Sequence, residues 1–489
     1  MASLSRRQLV RGAAAGAAFL GLPAIKTLSA GERWRPSEEL RCAVIGIRGR
    51  GRSHIDGLRR QEGVRIVALC DADRDVLARE AGRFEERGES VDTYVDLRHV
   101  MDRDDIDIVA TATPNHWHAL ISIWACQTGK DVYVEKPVSH NIWEGRKMVE
   151  AAAKYDRIVQ TGTQSRSSHG IRDAVAWVRA GNLGRIEWAQ GLCYKPRNSI
   201  GLVDGPGAPP ASVDYDLWVG PAPMKPLGRR NLHYDWHWVF DTGNGDLGNQ
   251  GIHQMDQCRW GLGESKLAPR VLSVGGRVGY EDDANTPNTQ FVFLDYPDAP
   301  LVFEVRGLPK DKASQGGNWR GNMDKVDGVA IGAFLHCEGG TLKIPNYNSA
   351  IAYDADGQEI QRWNGSDDHF VNFIEAVRAR DAGLLKSNIE EGHISSALCH
   401  QGNVSYHLGT QAGPEEVRSA LTGSGLASAT FERMVEHLAR NEVDLDVEQL
   451  TSGRLLEFDP DTERFVGDVE ANRLLARDYR APFVVPAEV

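Results

Sequence analysis

The sequence predicts an α/β protein: an N-terminal Rossmann-type, doubly wound parallel sheet joined to a second α/β domain with a large, mostly antiparallel sheet. Three observations lead there. From residue 41 onward, short apolar runs alternate with segments of helical period, the pattern of a parallel sheet covered on both faces. The glycine-rich stretch VIGIRGRGRSH follows the first apolar run and opens a helix. After about residue 165, alternating segments and dense Gly, Pro and aromatic residues replace that rhythm.

The elements follow in order. CAVIGI is a strand and residues 53–61 a helix; VRIVALCD is the second strand and RDVLAREAGRFEERG the second helix. IDIVATATP, DVYVEKP and RIVQTGTQ are further strands, separated by the helices HALISIWACQTG, closed by Gly129, and IWEGRKMVEAAAKYD. None of these strands alternates cleanly, as expected when both faces are buried. VLSVGGRVGY, TQFVFLDY, LVFEVRG and GTLKIP then read as antiparallel strands, and DHFVNFIEAVRAR and GHISSALCHQGNVSYHLG as amphipathic helices. The last seventy residues suggest a helix and an extended tail. The expected division is a leader over 1–30, a Rossmann domain over 38–165, a substrate and oligomerisation domain over 166–410, and a C-terminal helix and tail over 411–489.

The leader, SLSRRQLVRGAAAGAAFLGLPAIKTLSA, has adjacent arginines before an alanine-rich apolar segment and a small-residue end. It reads as a twin-arginine export signal and is too short and too weakly apolar to span a bilayer. The expected location is therefore periplasmic, reached through the twin-arginine machinery, with no membrane span. A net charge of −12 and no basic block beyond the leader argue against a nucleic-acid partner. The seven cysteines are scattered without a C-x-x-C pair, which excludes the usual disulfide frameworks and zinc sites; no metal is expected.

Within the glycine-rich turn, Gly46 and Gly51 hold the first and third positions of a dinucleotide fingerprint, while Arg48 stands at the second and Gly49 follows it. Arg48 and Arg50 add positive charge beside a helix N-terminus, where a pyrophosphate binds. Asp71 ends the second strand 25 residues after Gly46, the place of the acid that accepts from a ribose 2′-hydroxyl. A carboxylate there repels a 2′-phosphate, so NAD is the expected cofactor; nearby Arg74 keeps NADP as the alternative.

Together with this loop, Thr113-Pro114-Asn115-His116-Trp117-His118, the tripeptide Glu135-Lys136-Pro137, the segment from Gly162 to Arg166 and the stretch GNQGIHQMD resemble the glucose-fructose oxidoreductase/inositol dehydrogenase/rhizopine catabolism (Gfo/Idh/MocA) family from about residue 41 to 410. The resemblance implies cofactor contacts from Gly46, Arg48, Gly49, Gly51, Asp71, Thr113, Pro114, Asn115, His118, Glu135, Lys136, Gln164 and Arg166. It also implies a homo-oligomer, dimer or tetramer, assembled through the large sheet.

Lys136 falls at the carboxyl end of a parallel strand, where open α/β sheets bind ligands, and a lysine there can stabilise an alkoxide as hydride leaves. In the resembled pattern an Asp and a His four residues apart project from one helix face. His253 matches the histidine and suits proton transfer; Asn249 stands in place of the Asp, and an amide can only orient. Asp256, three residues beyond His253, is placed to hold its tautomer. Tyr194, Lys195, Arg197, Trp236 and His237 are the expected substrate contacts, the aromatics suited to stacking on sugar rings.

Three functions are compatible with these residues. The first is an NAD(P)-dependent oxidoreductase acting on a sugar or polyol hydroxyl with a tightly bound, recycled cofactor, since an exported enzyme meets no free pool. The second is a redox-neutral enzyme that cleaves a glycoside by oxidation and elimination, or epimerises it. The third is a non-catalytic carbohydrate-binding protein.

Overall fold

The computed structural model describes residues 39–489; the twin-arginine stretch lies outside them. The first sheet comprises β1 (Leu40–Ile45), β2 (Val64–Cys70), β3 (Asp92–Tyr94), β4 (Ile108–Thr111), β5 (Asp131–Val134) and β6 (Val159–Thr161). All pairings are parallel, in the order β3-β2-β1-β4-β5-β6, so the topological switch point falls between β1 and β4. The crossovers are α1 (Arg50–Arg59), α2 (Arg74–Glu85), α3 (Arg98–Met101), α4 (Asn115–Gln127) and α5 (Ile142–Lys154). Asp73 and Asn141 cap α2 and α5 by accepting from the backbone N–H of Asp75 and Glu144. Twelve of the thirteen α4 residues are buried, because neighbouring segments cover it on every side.

After α6 (His169–Arg179) and β7 (Ile186–Tyr194), a long excursion carries the short helix α7 (Tyr215–Val219) and returns through α8 (Ile252–Leu262). The second sheet adds β8 (Arg270–Gly276), β9 (Thr289–Leu294), β10 (Leu301–Arg306), β11 (Ile331–Cys337), β12 (Gly340–Ile344), β13 (Ser349–Asp354) and β14 (Glu359–Asn364). Then come α9 (His369–Ala379), α10 (Ile389–His407), β15 (Thr410–Ala412), α11 (Pro414–Ala420), α12 (Gly425–Arg440), β16 (Leu450–Ser452), β17 (Leu456–Asp459), β18 (Arg464–Phe465) and α13 (Val469–Arg473). The strand path is β14-β13-β12-β11-β7-β10-β9-β8-β16-β15, antiparallel except for β7 with β10. One face packs on α6, α8 and α10, and α12 covers part of the other.

Two placements differ from the sequence reading. Helix α9 does not join the second domain: Phe370, Phe373, Ile374 and Val377 pack with Ile55 and Leu58 in the core of the first. The segment expected to be a helix and extended tail holds α11, α12 and α13, but it also adds strands to the large sheet and returns to the first domain, where Phe483, Val485 and Val489 are buried. All seven cysteines are buried and unpaired. Among the described residues no helix is long and apolar enough to cross a membrane.

Candidate active site

At the switch point lies a cavity of about 480 Å³, bounded by the β1–α1 loop, the ends of β2 and β4, and the 217–237 part of the excursion. Gly46 and Gly49 have φ of +74° and +54°, which only glycine adopts cheaply. A Cβ on Gly51 would lie 1.9 Å from the Gly46 carbonyl oxygen, so the third glycine sets the close packing of the loop. A Cβ on Gly49 would meet no protein atom within 4 Å; its open side faces the cavity, and it takes over the approach that Arg48 denies. Helix α1 begins there with neither a side-chain cap nor an acid in its first turn, flanked by Arg48 and Arg50, a cradle suited to a pyrophosphate. Asp71 lines the far end, its carboxylate accepting from the Ile47 N–H at 3.0 Å and the Asp73 N–H at 3.1 Å. Burial raises its pKa, and these two donors oppose the rise. Thr113 and Pro114 line the opposite wall. These residues fit a dinucleotide.

Arg50 leans on Glu135 through Nε at 2.6 Å, and His54 meets the same oxygen at 3.1 Å. Burial alone would raise the Glu135 pKa, but Arg50 and His54 outweigh it and hold the carboxylate well below the usual range. Glu135 thus anchors Arg50 and the start of α1 and does not itself line the cavity. His118 likewise turns away: its ring nitrogens lie 2.7 Å from the carbonyls of Pro137 and Thr113, tying two loop segments together. Asn115 is buried in the first turn of α4 and does not line the cavity, and Gln164 reaches Tyr133 and Glu135 at 3.4 Å.

Lys136 stands just past β5, outside the cavity lining but close enough to act on His237 of its wall. Its Nζ donates to the Asn249 backbone carbonyl at 2.7 Å, which leaves two N–H donors for a ligand. Burial lowers its pKa, against the pull of Glu135. Asn249 sits in a π-helical turn, Leu247–Gly251, that runs into α8, and such turns recur at functional sites because they re-aim the backbone. His253 is buried, its Nδ1 lacks a partner, and its ring lies 4.9 Å from that of Tyr347. Burial first, and the Lys136 charge second, lower its pKa to about 3, so the imidazole is neutral. Trp236 and His237 stack at 3.6 Å on the cavity wall, and the Lys136 charge helps depress His237, which links the two regions.

Several expected roles are corrected. Asp256 does not hold the His253 tautomer: Arg166 grips its carboxylate at 2.8–3.1 Å and Ser395 donates at 2.6 Å. A two-point guanidinium bond outcompetes a neutral imidazole, and it removes Arg166 from the cofactor contacts as well. Tyr194 is no substrate contact, because strand alternation decides its face. Ala189 and Cys193 of β7 point to α8, so Tyr194 points to the opposite face, buried with its hydroxyl on Glu304 at 2.8 Å. Lys195 falls on the α8 side and donates to Gln250 at 3.0 Å. Arg197 is bound to Asp246 at 2.6 and 2.7 Å and covers Trp238, which makes it a brace for the turn before Asn249.

Sequence reasoning missed Tyr347 and Gln250. Gln250 accepts from Lys195 through Oε1, which fixes its amide, and donates through Nε2 to the Tyr347 hydroxyl at 2.6 Å. The hydroxyl's own proton is thereby free to be donated, on a residue 41% exposed. Tyr347 stands in the β12–β13 hairpin, 94 residues after His253, and no spacing signal joins them. Among the described residues no group of His, Cys, Asp and Glu is arranged to hold a metal.

Two family models match the chain. Residues 40–163 match the Gfo/Idh/MocA oxidoreductase family, NAD-binding Rossmann fold, and residues 200–314 match its C-terminal alpha/beta domain. A glycosyl hydrolase family 109 protein of Solibacter usitatus is 31% identical over 168 residues, 32% of this chain and 38% of the relative. Glycosyl hydrolase family 109 protein 2 of Shewanella sp. (strain ANA-3) is 37% identical over 120 residues, 24% of this chain and 26% of the relative. The matches thus span about a quarter to two fifths of those relatives' length. Among solved structures, the WlbA dehydrogenase of Bordetella pertussis, in complex with NADH and UDP-GlcNAcA, superposes with a TM-score of 0.53 at 16% identity, covering 75% of this chain and 95% of that one. The aldose-aldose oxidoreductase of Caulobacter crescentus, complexed with glycerol, gives 0.54 at 16% identity, covering 75% and 98%. Likeness at this identity concerns the fold.

Proposed function

From the support that both domains give to its membership of the Gfo/Idh/MocA oxidoreductase family, we propose that this chain is an NAD-dependent oxidoreductase acting on a sugar or polyol hydroxyl, with a cofactor that stays bound through the cycle. The observation that carries the reading is the placement of Lys136 close to a cavity lined by the glycine loop and Asp71, and near a buried histidine held neutral.

NAD, when bound, supplies the hydride acceptor. Gly46, Gly49, Gly51 and the α1 N-terminus would hold its pyrophosphate, and Asp71 would accept from the ribose 2′-hydroxyl and disfavour a 2′-phosphate. The free N–H groups of Lys136 hydrogen-bond the reacting hydroxyl oxygen and stabilise its developing charge. His253, neutral across the physiological range, takes the hydroxyl proton, and Asn249 orients the sugar by hydrogen bonds. The arginine-pair leader supports export of the folded, cofactor-loaded protein, which requires that the cofactor be regenerated in place.

The second reading, redox-neutral cleavage of a glycoside through transient oxidation, is favoured by the likeness to glycosyl hydrolase family 109 proteins and by Tyr347, whose free O–H can supply a proton to a leaving oxygen. One experiment tests both. Purified protein is denatured and its extract assayed for nicotinamide, and intact protein is incubated with a glycan panel followed by mass spectrometry. An extract without nicotinamide, and no thermal shift on adding NAD, would refute the proposal. A changed sugar with net reduced cofactor supports the first reading; cleaved glycoside without net reduction supports the second.

A further inference from the structure

The excursion between β7 and α8 passes across the carboxyl edge of the Rossmann sheet and is tied to it at several points. Val213 forms an antiparallel bridge with Asp73, the Arg74 N–H donates to Ser212 at 2.9 Å, and the Asp214 N–H donates to Ala72 at 2.8 Å. His233 meets the Asp73 carboxylate at 2.8 Å, and the Trp117 indole N–H donates to the Leu217 carbonyl at 3.1 Å. This strap supplies Leu217, Trp218, His233 and Trp236 to the wall facing Asp71 and the glycine loop. A dinucleotide in the cavity would lie between strap and sheet, with its adenosine end beneath the 212–233 segment.

The strap is itself held by the C-terminal segment. Arg480 donates through NH1 to the Asp216 carboxylate at 2.6 Å, through NH2 to the Asp216 carbonyl at 2.7 Å and through Nε to the Gly220 carbonyl at 3.0 Å. Its guanidinium covers the Phe483 ring, which packs edge-on against Trp117 at 5.3 Å within the Rossmann core. Gly220 completes the joint: its φ is +50°, and a Cβ there would come within 2.2 Å of the Trp117 ring. Strap, Trp117 and C-terminal segment thus form one interlocked unit, of which the strap and Trp117 line the cavity and the C-terminal segment backs them.

We propose that Arg480 and Phe483 latch this strap over the bound dinucleotide, so that cofactor retention is set by residues some 300 positions beyond the Rossmann domain that binds it. The proposal rests on the NAD reading above and adds the device by which a cofactor loaded once is kept. Release requires the strap to lift, and lifting it breaks the Arg480 bonds.

The test loads the full chain with NADH, adds excess NAD, and follows loss of bound-nicotinamide fluorescence. Arg480→Ala should speed release at least about tenfold, the scale of one lost charge-assisted hydrogen bond. Asp216→Ala, at an exposed strap position, should move it the same way even if Arg480→Ala folds poorly. Arg418→Ala, which breaks an exposed ion-pair pair on α11 remote from the cavity, should leave release at the wild-type rate. Unchanged release in folded Arg480→Ala or Asp216→Ala protein overturns the latch, as does equal acceleration in Arg418→Ala. A wild-type chain that binds no NADH overturns the NAD reading itself, an outcome distinct from NADH bound but released alike by every variant.

Discussion

Lys136, His253, Asn249 and Tyr347 divide the proposed chemistry by what each side chain can donate or accept. Lys136→Met and His253→Ala should each cost about 10²- to 10⁴-fold in turnover, the usual loss for a positioned acid–base group. Asn249→Ala should cost far less, because Lys136 is held by the backbone carbonyl of that residue, which the substitution keeps. Tyr347→Phe keeps the ring against His253 and removes only the hydroxyl, so it separates packing from proton donation. A pH–rate profile carries the sharper check. With the His253 pKa near 3, no activity should be lost to imidazole protonation between pH 7 and 5. The alkaline limb should fall below the ordinary lysine value, because burial lowers the Lys136 pKa. A profile falling with an apparent pKa near 6.5 that vanishes in His253→Ala would show the imidazole solvated, and the proton route would need redrawing.

At the scale of elements, one buried polar network joins the Gln164–Ser167 turn, α8 and α10. Arg166, Asp256 and Ser395 come one from each, all buried, and Arg259 and Glu391 extend the network. Burial alone would raise the Asp256 pKa, yet Arg166 and Arg259 hold it below the usual range. Arg166→Met leaves that carboxylate buried and half-paired, and should destabilise the fold by about 3–5 kcal/mol in denaturant melts. Its effect on dinucleotide affinity should be small, since Arg166 does not line the cavity; a large loss of NAD binding with unchanged stability would return it to the cofactor site. The π-helical turn before α8 works at the same scale. It presents the Asn249 carbonyl to Lys136, a backbone contact that no choice of side chain advertises.

For the molecule as a whole, buried histidines set the expected acid response. His116, His253 and His400 are held at about 3 and His369 at about 4 by burial, against 6.5 in the unfolded chain. Below pH 6.5 the unfolded state binds protons that the native state refuses, so the stability these groups contribute is full above 6.5 and lost progressively toward 3–4. Asp71, Asp131 and Glu144, whose pKa values burial raises, act in the opposite sense and offset part of it. The Tm should therefore fall measurably from pH 7 to 5; a flat Tm over that range would mean the histidines accept protons in place. Legibility in the sequence follows the same local-to-global line. The doubly wound parallel sheet, the glycine loop and the strand-end positions of Asp71 and Lys136 could be read from the chain because strand period, φ > 0 positions and strand ends are properties of short segments. The sequence by itself also determined the Asn at 249 and the charge of the loop. Only tertiary structure decided that Tyr194 faces away while Lys195 faces in, that Asp256 belongs to Arg166, that Tyr347 meets His253, and that the C-terminal segment returns to pack on the Rossmann core. Each depends on which surfaces meet after folding, and contacts between residues tens to hundreds of positions apart leave no period in a single sequence.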